Sequence, residues 1–236
     1  MTKIFQYECK RLLWNKFFFG LMAALLFYGW QTLSNVTIQG ISRTAPFSPW
    51  SFGDYLSRML PLIWIGALFF LTFFTSGKAK RTAVLTDAAP VPQRRYSLVR
   101  NAAALSGTGI LILACTAEAA VFYSMYFGWR RWETLIFPVF LELIPPLVFA
   151  LGSGWFLGQK QSWMVYVWMP VPLALRALPL PELFSLWTGS FFSEYPLALG
   201  AADPDFSVPA ELVCVQMFLL ISGLAFLAVR SRRQRK

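Results

Sequence analysis

Long apolar blocks separated by short polar stretches dominate the pattern of this sequence. A helix that crosses a membrane needs about 20 mostly apolar residues to span the hydrocarbon layer. Six blocks reach or approach this length, which predicts transmembrane helices at about 17–38, 55–75, 102–127, 134–158, 163–181 and 210–229. The fifth block holds Pro170, Pro172, Pro179 and Pro181. Because proline breaks the backbone hydrogen bonds of a helix, this span is expected to be kinked or broken.

The positions of lysine and arginine predict the orientation of these spans. Cytoplasmic flanks carry an excess of Lys and Arg in membrane proteins. Here the basic residues concentrate at 1–16, 76–101, Lys160 and 230–236, whereas the alternate loops hold only Arg43, Arg130 and Arg131. Both termini are therefore predicted to be cytoplasmic, with an even number of spans. Residues 182–209 are then expected to form an external or re-entrant element, since a seventh span would place the basic tail outside.

Composition supports the membrane class and removes several kinds of chemistry. Charged residues make up 14% of the 236 residues and apolar residues 57%, whereas a soluble domain carries about 25% charged residues. A soluble enzyme, a disordered chain and a secreted disulfide scaffold are thereby excluded. The net charge of +10 is explained by cytoplasmic flanks that attract anionic lipid, so no nucleic-acid partner is expected. Histidine is absent, which excludes His-ligated metals and Ser–His catalysis; no metal site is predicted.

The first 16 residues form an amphipathic segment ahead of the first span. On a helix, apolar side chains that include Phe5 and Leu12 fall roughly on one side, and Lys3 and Lys10 fall on another. This pattern predicts a helix that lies in the inner membrane interface. The alternative is an ordinary basic flank that orients the first span. Residues 17–229 would then hold the six spans, and 230–236 a basic cytoplasmic tail.

The longest cytoplasmic connection covers residues 76–101 and reads SGKAKRTAVLTDAAPVPQRRYSLVRN. A short helix fits 78–88, after which Pro90 and Pro92 end it. A loop of this length is more often an interaction surface than a simple connector. The alternative is a solvated run of charges.

These two segments resemble the membrane subunits of type-2 ATP-binding-cassette (ABC) exporters. The resemblance rests on Tyr7–Glu8–Cys9–Lys10–Arg11 ahead of Asn15–Lys16, and on Arg81–Thr82, Val84–Leu85, Ala89–Pro90–Val91 and Arg94–Arg95 in the loop. The chain departs from the family pattern at Lys78 and Lys80, where an acidic residue is usual, and at Arg100–Asn101, where Gly-Lys is usual.

The resemblance implies an all-α membrane protein of six transmembrane helices with an N-terminal interfacial elbow helix and a coupling helix between spans two and three. The chain has no phosphate-binding G-x-x-x-x-G-K-[ST] loop, so ATP and Mg²⁺ would be held by a separate ABC ATPase. The permease would pair with a second copy or a related permease in a prokaryotic plasma membrane and move an amphipathic substrate. The residues implied to contact the ATPase are Arg81, Thr82, Leu85, Pro90, Arg94 and Arg95; those implied for the interfacial helix are Phe5, Glu8 and Arg11.

Four ionisable residues fall inside the predicted spans: Arg58, Glu118, Glu142 and Arg176. Charge inside a membrane is costly unless it is paired or faces a wet cavity. Three interpretations stay open: ion pairs that lock helices together, an external gate or substrate contact, or side chains that face water because the spans are shorter than predicted. Two other functions also stay open, a non-transporting assembly or sensor subunit of the same fold and an intramembrane enzyme.

Overall fold

A computed structural model describes residues 2–76, 93–178, 181–200 and 203–228; for residues 93–95 it describes the backbone alone. The regular structure of these residues is entirely helical, with no strand among them. The α-helices are α1 (Thr2–Leu13), α2 (Lys16–Asn35), α3 (Pro49–Thr75), α4 (Gln93–Phe127), α5 (Glu133–Glu142), α6 (Ile144–Lys160), α7 (Ser162–Trp168), α8 (Val171–Ala177), α9 (Ser185–Thr188), α10 (Ser190–Ala198) and α11 (Ala210–Ala228). Short 3-10 helices cover Thr37–Gln39 and Glu182–Phe184.

Five helical stretches are long and apolar enough to cross a membrane, as expected of an all-α multi-pass membrane protein. They cover Lys16–Gln39, Pro49–Thr75, Tyr96–Phe127, Glu133–Lys160 and Ala210–Ala228.

The predicted fifth span, 163–181, is instead two short helices. Helix α7 ends at Trp168 and α8 begins at Val171, on either side of Pro170. The prediction that prolines break this span is therefore confirmed at Pro170.

Helix α3 is the centre of the structure. Of its 27 residues, 21 are buried, and it contacts α2, α4, α5, α6, α7, α8, α9 and α10. It begins at Pro49, six residues earlier than the predicted span, because Ser48 accepts a hydrogen bond from the backbone N–H of Ser51 and Pro49 occupies the first helical position. The added turns carry Asp54 into the buried part of the helix.

Two other boundaries differ from the predicted spans. Helix α4 already begins at Gln93, so its first turns belong to the stretch that was assigned to the loop 76–101. The fourth span is divided at Leu143, where α5 ends and α6 begins. Pro145 and Pro146 explain that division, since neither has a backbone N–H to continue the helix.

Helix α11 is held mainly by α6. The closest approach is at Gly152 and Gly223, where a side-chain carbon on Gly152 would collide with the backbone oxygen of Gly223. Small residues allow membrane helices to pack this closely. The pair therefore fixes the register between α6 and α11.

The described residues of the region 182–209 pack on the N-terminal half of α3. Phe192 of α10 is buried and fills the space left by the missing side chain of Gly53. Trp50 donates a hydrogen bond from its indole N–H to the carbonyl oxygen of Pro204, at 2.8 Å. These contacts fasten the region to the N-terminal end of α3, which the charge pattern predicts to be the external end.

Candidate functional site

The candidate site is built on a backbone oxygen that Pro61 leaves free. Pro61 lies inside α3 and lacks the N–H that would normally bond to the carbonyl of Ser57, four residues earlier. Arg176, in the last turn of α8, donates to that oxygen from Nη1 at 3.3 Å. A guanidinium thus supplies the bond that the proline removes.

The same guanidinium reaches a second backbone oxygen. Its Nη2 donates to the carbonyl of Thr188 at 3.3 Å. The next residue, Gly189, has a positive φ of 82° and separates α9 from α10. A Cβ atom on Gly189 would lie 2.6 Å from the Ser57 hydroxyl oxygen and 3.4 Å from Nη2 of Arg176. Glycine is therefore required for the external element to approach α3 this closely.

Asp54 and Arg58 form an ion pair beside this contact. Nε of Arg58 lies 2.6 Å from Oδ2 of Asp54, one helical turn away on α3. The aspartate side chain is 4% exposed, whereas the arginine side chain is 35% exposed. Asp54 also faces Gly189, since a Cβ atom there would lie 3.5 Å from Oδ1.

Glu142 is the last residue of α5 and has no solvent exposure. Neither of its carboxylate oxygens has a hydrogen-bond partner among the described residues. Arg176 and Asp54 are close enough to interact with it electrostatically. The carboxylate therefore lies at the division between α5 and α6 without a hydrogen bond or ion pair to a described residue.

We call Asp54, Arg58, Glu142 and Arg176 the Arg176 cluster. Its two acidic side chains are buried, while both arginines keep part of their surface exposed. The cluster thus presents positive charge outward over a buried negative layer. Such an arrangement suits a gate or a binding surface for charged groups, because intramembrane charge usually faces a cavity or a neighbouring helix.

Glu118 lies apart from this cluster. Its Oε2 is 3.4 Å from the hydroxyl of Tyr55, which is also 3.2 Å from the carbonyl oxygen of Cys115. Gly29 of α2 leaves room for the carboxylate, since a Cβ atom there would collide with Oε2. Of the four predicted intramembrane charges, the structure thus brings together Arg58, Glu142 and Arg176. Glu118, on α4, instead lies against α2 and α3.

Asp54 was not among the predicted site residues. The predicted span began after it, so it counted as a residue of a loop or span edge. Its spacing of four residues from Arg58, which allows an ion pair on one helix face, was the available signal.

A second polar cluster lies at the opposite end of α3. Glu8 of α1 is 1% exposed, and its Oε1 accepts a hydrogen bond from the Tyr96 hydroxyl at 2.9 Å. Arg100 donates from Nη2 to the Tyr96 oxygen at 2.9 Å, and its Nε lies 3.6 Å from Glu8. Arg11 lies 3.6 Å from the other Glu8 oxygen. We call these four residues the Glu8 network.

The Glu8 network joins α1 to the beginning of α4. The guanidinium of Arg100 also packs over the rings of Phe74 and Tyr96, at 5.4 Å and 4.2 Å from their centroids. Phe5 is half-buried and borders a groove with Leu98. The three residues predicted for the interfacial helix, Phe5, Glu8 and Arg11, thus lie near the start of α4.

The residues predicted to contact an ATPase are only partly described. Arg94 and Arg95 lie in the first turn of α4. Arg81, Thr82, Leu85 and Pro90 lie outside the described residues.

No protein-family model, curated protein or solved structure matches this chain. The function must therefore be inferred from the chemistry and placement of its own residues.

Proposed function

We propose that this chain is the membrane-spanning permease subunit of an ATP-driven ABC exporter in a prokaryotic plasma membrane, with both termini cytoplasmic. In this proposal α7 and α8 together make the fifth of six spans, and the element 182–209 is external. ATP and Mg²⁺ are held by a separate ATPase, and a second permease copy or a related permease completes the transporter. The substrate is an amphipathic molecule, such as a peptide, a lipid-like molecule or a drug.

The observation that carries this proposal is the Glu8 network. A permease without its own ATPase needs a cytoplasmic loop whose displacement reaches the spans. The loop 76–101 returns to the membrane through the first turns of α4, and Glu8 ties those turns to the interfacial helix α1. Movement of the loop by a partner would therefore move α1 and α4 together.

In this mechanism the Arg176 cluster acts at the opposite end of α3 from the Glu8 network. It links α3, α8 and the junction of α9 and α10 through one guanidinium. A shift of α3 relative to α8 would change the bond to Ser57, and the guanidinium that moves with it also holds Thr188. The external element then follows the spans, which is the behaviour required of an outer gate.

The first test is purification of the tagged chain from its native membranes, with mass spectrometry of the associated proteins and an ATPase assay. The decisive variant is Arg94→Glu with Arg95→Glu, which reverses the charge at the end of the predicted coupling loop. Its matched control is Arg130→Glu with Arg131→Glu, an equally basic pair in a loop predicted to be external. We expect an ATPase with an ABC phosphate-binding loop to be recovered with the wild-type chain and with the control.

We expect the Arg94/Arg95 variant to lose this ATPase. Recovery of no such ATPase with the wild-type chain, or equal recovery with both double variants, contradicts the proposal. A further variant, Glu8→Gln, separates attachment from coupling: the ATPase should still bind, and its stimulation by the permease should fall severalfold.

A further inference from the structure

A cavity opens beside Arg176, between α8, the external element and the start of α11. Its volume is about 710 Å³, within the roughly 300–1,000 Å³ that small-molecule sites occupy. Apolar side chains that include Leu178, Leu183 and Leu212 form part of the wall. Neither the Glu8 network nor the coupling role proposed above makes use of this cavity.

Arg176 provides the cation among the described residues that line the cavity. A guanidinium has five N–H donors, and the two bonds to Ser57 and Thr188 use two of them. Three donors remain available, held in a fixed orientation by the backbone contacts. A planar donor group of this kind is well suited to a phosphate oxygen.

Three carboxylates line the same cavity: Glu182, Glu194 and Glu211. All three side chains are exposed, and none forms an ion pair or hydrogen bond with another described residue. They are therefore free to receive positive charge from a ligand.

The two kinds of charge lie at different depths along the structure. Arg176 bonds to Ser57, which is eight residues into α3, or about 12 Å from the helix start at 1.5 Å per residue. Glu211 lies in the first turn of α11, and Glu182 opens a 3-10 helix. Glu194 lies within α10 and precedes Tyr195, whose ring packs on that of Trp50 in the first turn of α3. The cation thus lies farther along α3 than this carboxylate.

We propose that this cavity binds the headgroup of a zwitterionic phospholipid. The phosphodiester lies on Arg176, the ammonium group lies among the carboxylates, and the acyl chains lie along Leu173, an exposed residue one turn before Arg176 on α8. In such a lipid the phosphate is nearer the chains than the ammonium group, which is the order of Arg176 and Glu194 along α3. An anionic lipid would meet the three carboxylates without a balancing positive charge. A ligand with positive charge alone would leave the free donors of Arg176 without an acceptor.

The test is native mass spectrometry of the full chain in an uncharged detergent. The probes are phosphatidylcholine and phosphatidylglycerol with identical acyl chains, and glycerophosphocholine, which has the zwitterionic headgroup without chains. We expect phosphatidylcholine to bind about twofold to fivefold more tightly than phosphatidylglycerol, the range that an exposed ion pair gives. Glycerophosphocholine should bind far more weakly, because it lacks the apolar contacts. The measurement needs no ATPase, so it can fail without affecting the proposed function.

Two variants give opposite signatures. Glu194→Gln with Glu211→Gln should weaken phosphatidylcholine and strengthen phosphatidylglycerol, because removal of the carboxylates removes attraction for one and repulsion for the other. Arg176→Gln should weaken both lipids severalfold. The matched controls are Glu133→Gln and Arg131→Gln, exposed residues outside this cavity, which should leave both affinities unchanged.

Several outcomes overturn the proposal. Equal affinity of the wild-type chain for the two lipids is one, and equal weakening of both lipids by the double glutamate variant is another. Binding of glycerophosphocholine as tight as that of the lipid would refute the assignment to a lipid. The glutamates are exposed, so their variants are expected to fold and remain informative even if Arg176→Gln does not.

Discussion

Glu8 and Glu142 are both hidden from solvent, at opposite ends of the central helix α3, yet their carboxylates have different surroundings. Glu8 accepts a hydrogen bond from Tyr96 and lies 3.6 Å from a nitrogen of both Arg11 and Arg100. Glu142 has no hydrogen-bond partner among the described residues, and Arg176, the cation that acts on it electrostatically, donates to two backbone oxygens instead.

The comparison separates two uses of a buried acid. A carboxylate with several partners holds elements together, because breaking such a pair leaves charge without compensation. A carboxylate without partners costs free energy in the folded state. Natural proteins keep unfavourable groups of this kind mainly where function needs them. We therefore assign a fastening role to Glu8 and a role in moving or binding charge to the Arg176 cluster.

The largest expected effect comes from Glu8→Gln. The amide loses the negative charge that attracts Arg11 and Arg100 and that strengthens the hydrogen bond from Tyr96, so the free energy of unfolding should fall by about 2–3 kcal/mol. Thermal or denaturant unfolding of the purified chain in detergent measures this loss, with Glu133→Gln as an exposed control. A loss no larger than that of the control would show that the Glu8 network does not fasten α1 to α4.

The next effect concerns the outer cluster and its glycine. In Gly189→Ala the new methyl group lies too close to the Ser57 hydroxyl, and the residue must keep a positive φ. We expect a loss of about 1–2 kcal/mol in unfolding free energy. Gly128→Ala is the matched control, since Gly128 also has a positive φ but open space around it. Equal losses in the two variants would mean that the contact with α3 adds nothing beyond backbone strain.

A smaller effect is expected from Arg58→Gln. The arginine is partly exposed, but its removal leaves the buried Asp54 without its ion pair, so we expect a loss of about 1 kcal/mol. The double variant Asp54→Asn with Arg58→Gln should recover part of that loss, because it removes the unpaired charge. Additive losses in the double variant would contradict a coupled pair.

The smallest effect is expected from Glu142→Gln, and it tests the comparison most directly. At Glu8 the change to glutamine is expected to destabilise the chain, whereas at Glu142 it removes an uncompensated buried charge. The free energy of unfolding should therefore change by less than about 0.5 kcal/mol or increase. If the chain is the proposed permease, substrate export, or stimulation of the ATPase recovered with it, should nevertheless fall. A large loss of stability would show that Glu142 has a structural partner.

Much of the helical framework follows from local sequence. The last span was predicted at 210–229 and is α11, Ala210–Ala228. The break in the fifth span follows from its prolines. Boundaries were less accurate where polar residues extend an apolar helix, as at the start of α3, because average hydropathy hides a helix signal such as Ser48–Pro49.

The site was only partly predictable, for a different reason. Each intramembrane charge stands out from its apolar neighbours, but their grouping depends on contacts between distant parts of the chain. Arg176 contacts Ser57 across 119 positions of the sequence. Helices α4 to α7 lie between them in the chain. One local clue does exist, since Pro61 implies a free carbonyl at Ser57 and therefore a donor from elsewhere. Nothing local indicates that the donor is Arg176 rather than another polar side chain.

The balance of charge in the Arg176 cluster has an electrical consequence. With all four side chains ionised, two arginines and two acids sum to zero. A membrane potential does work of about 2.3 kcal/mol per 100 mV on each elementary charge carried across the bilayer, but a neutral group that moves as one unit experiences no net force. In the proposed transporter, the voltage across the membrane would therefore neither drive nor oppose a displacement of the ionised cluster. Its movement would then be powered by a chemical reaction at the other end of the protein and would proceed equally well in a polarised or a depolarised cell.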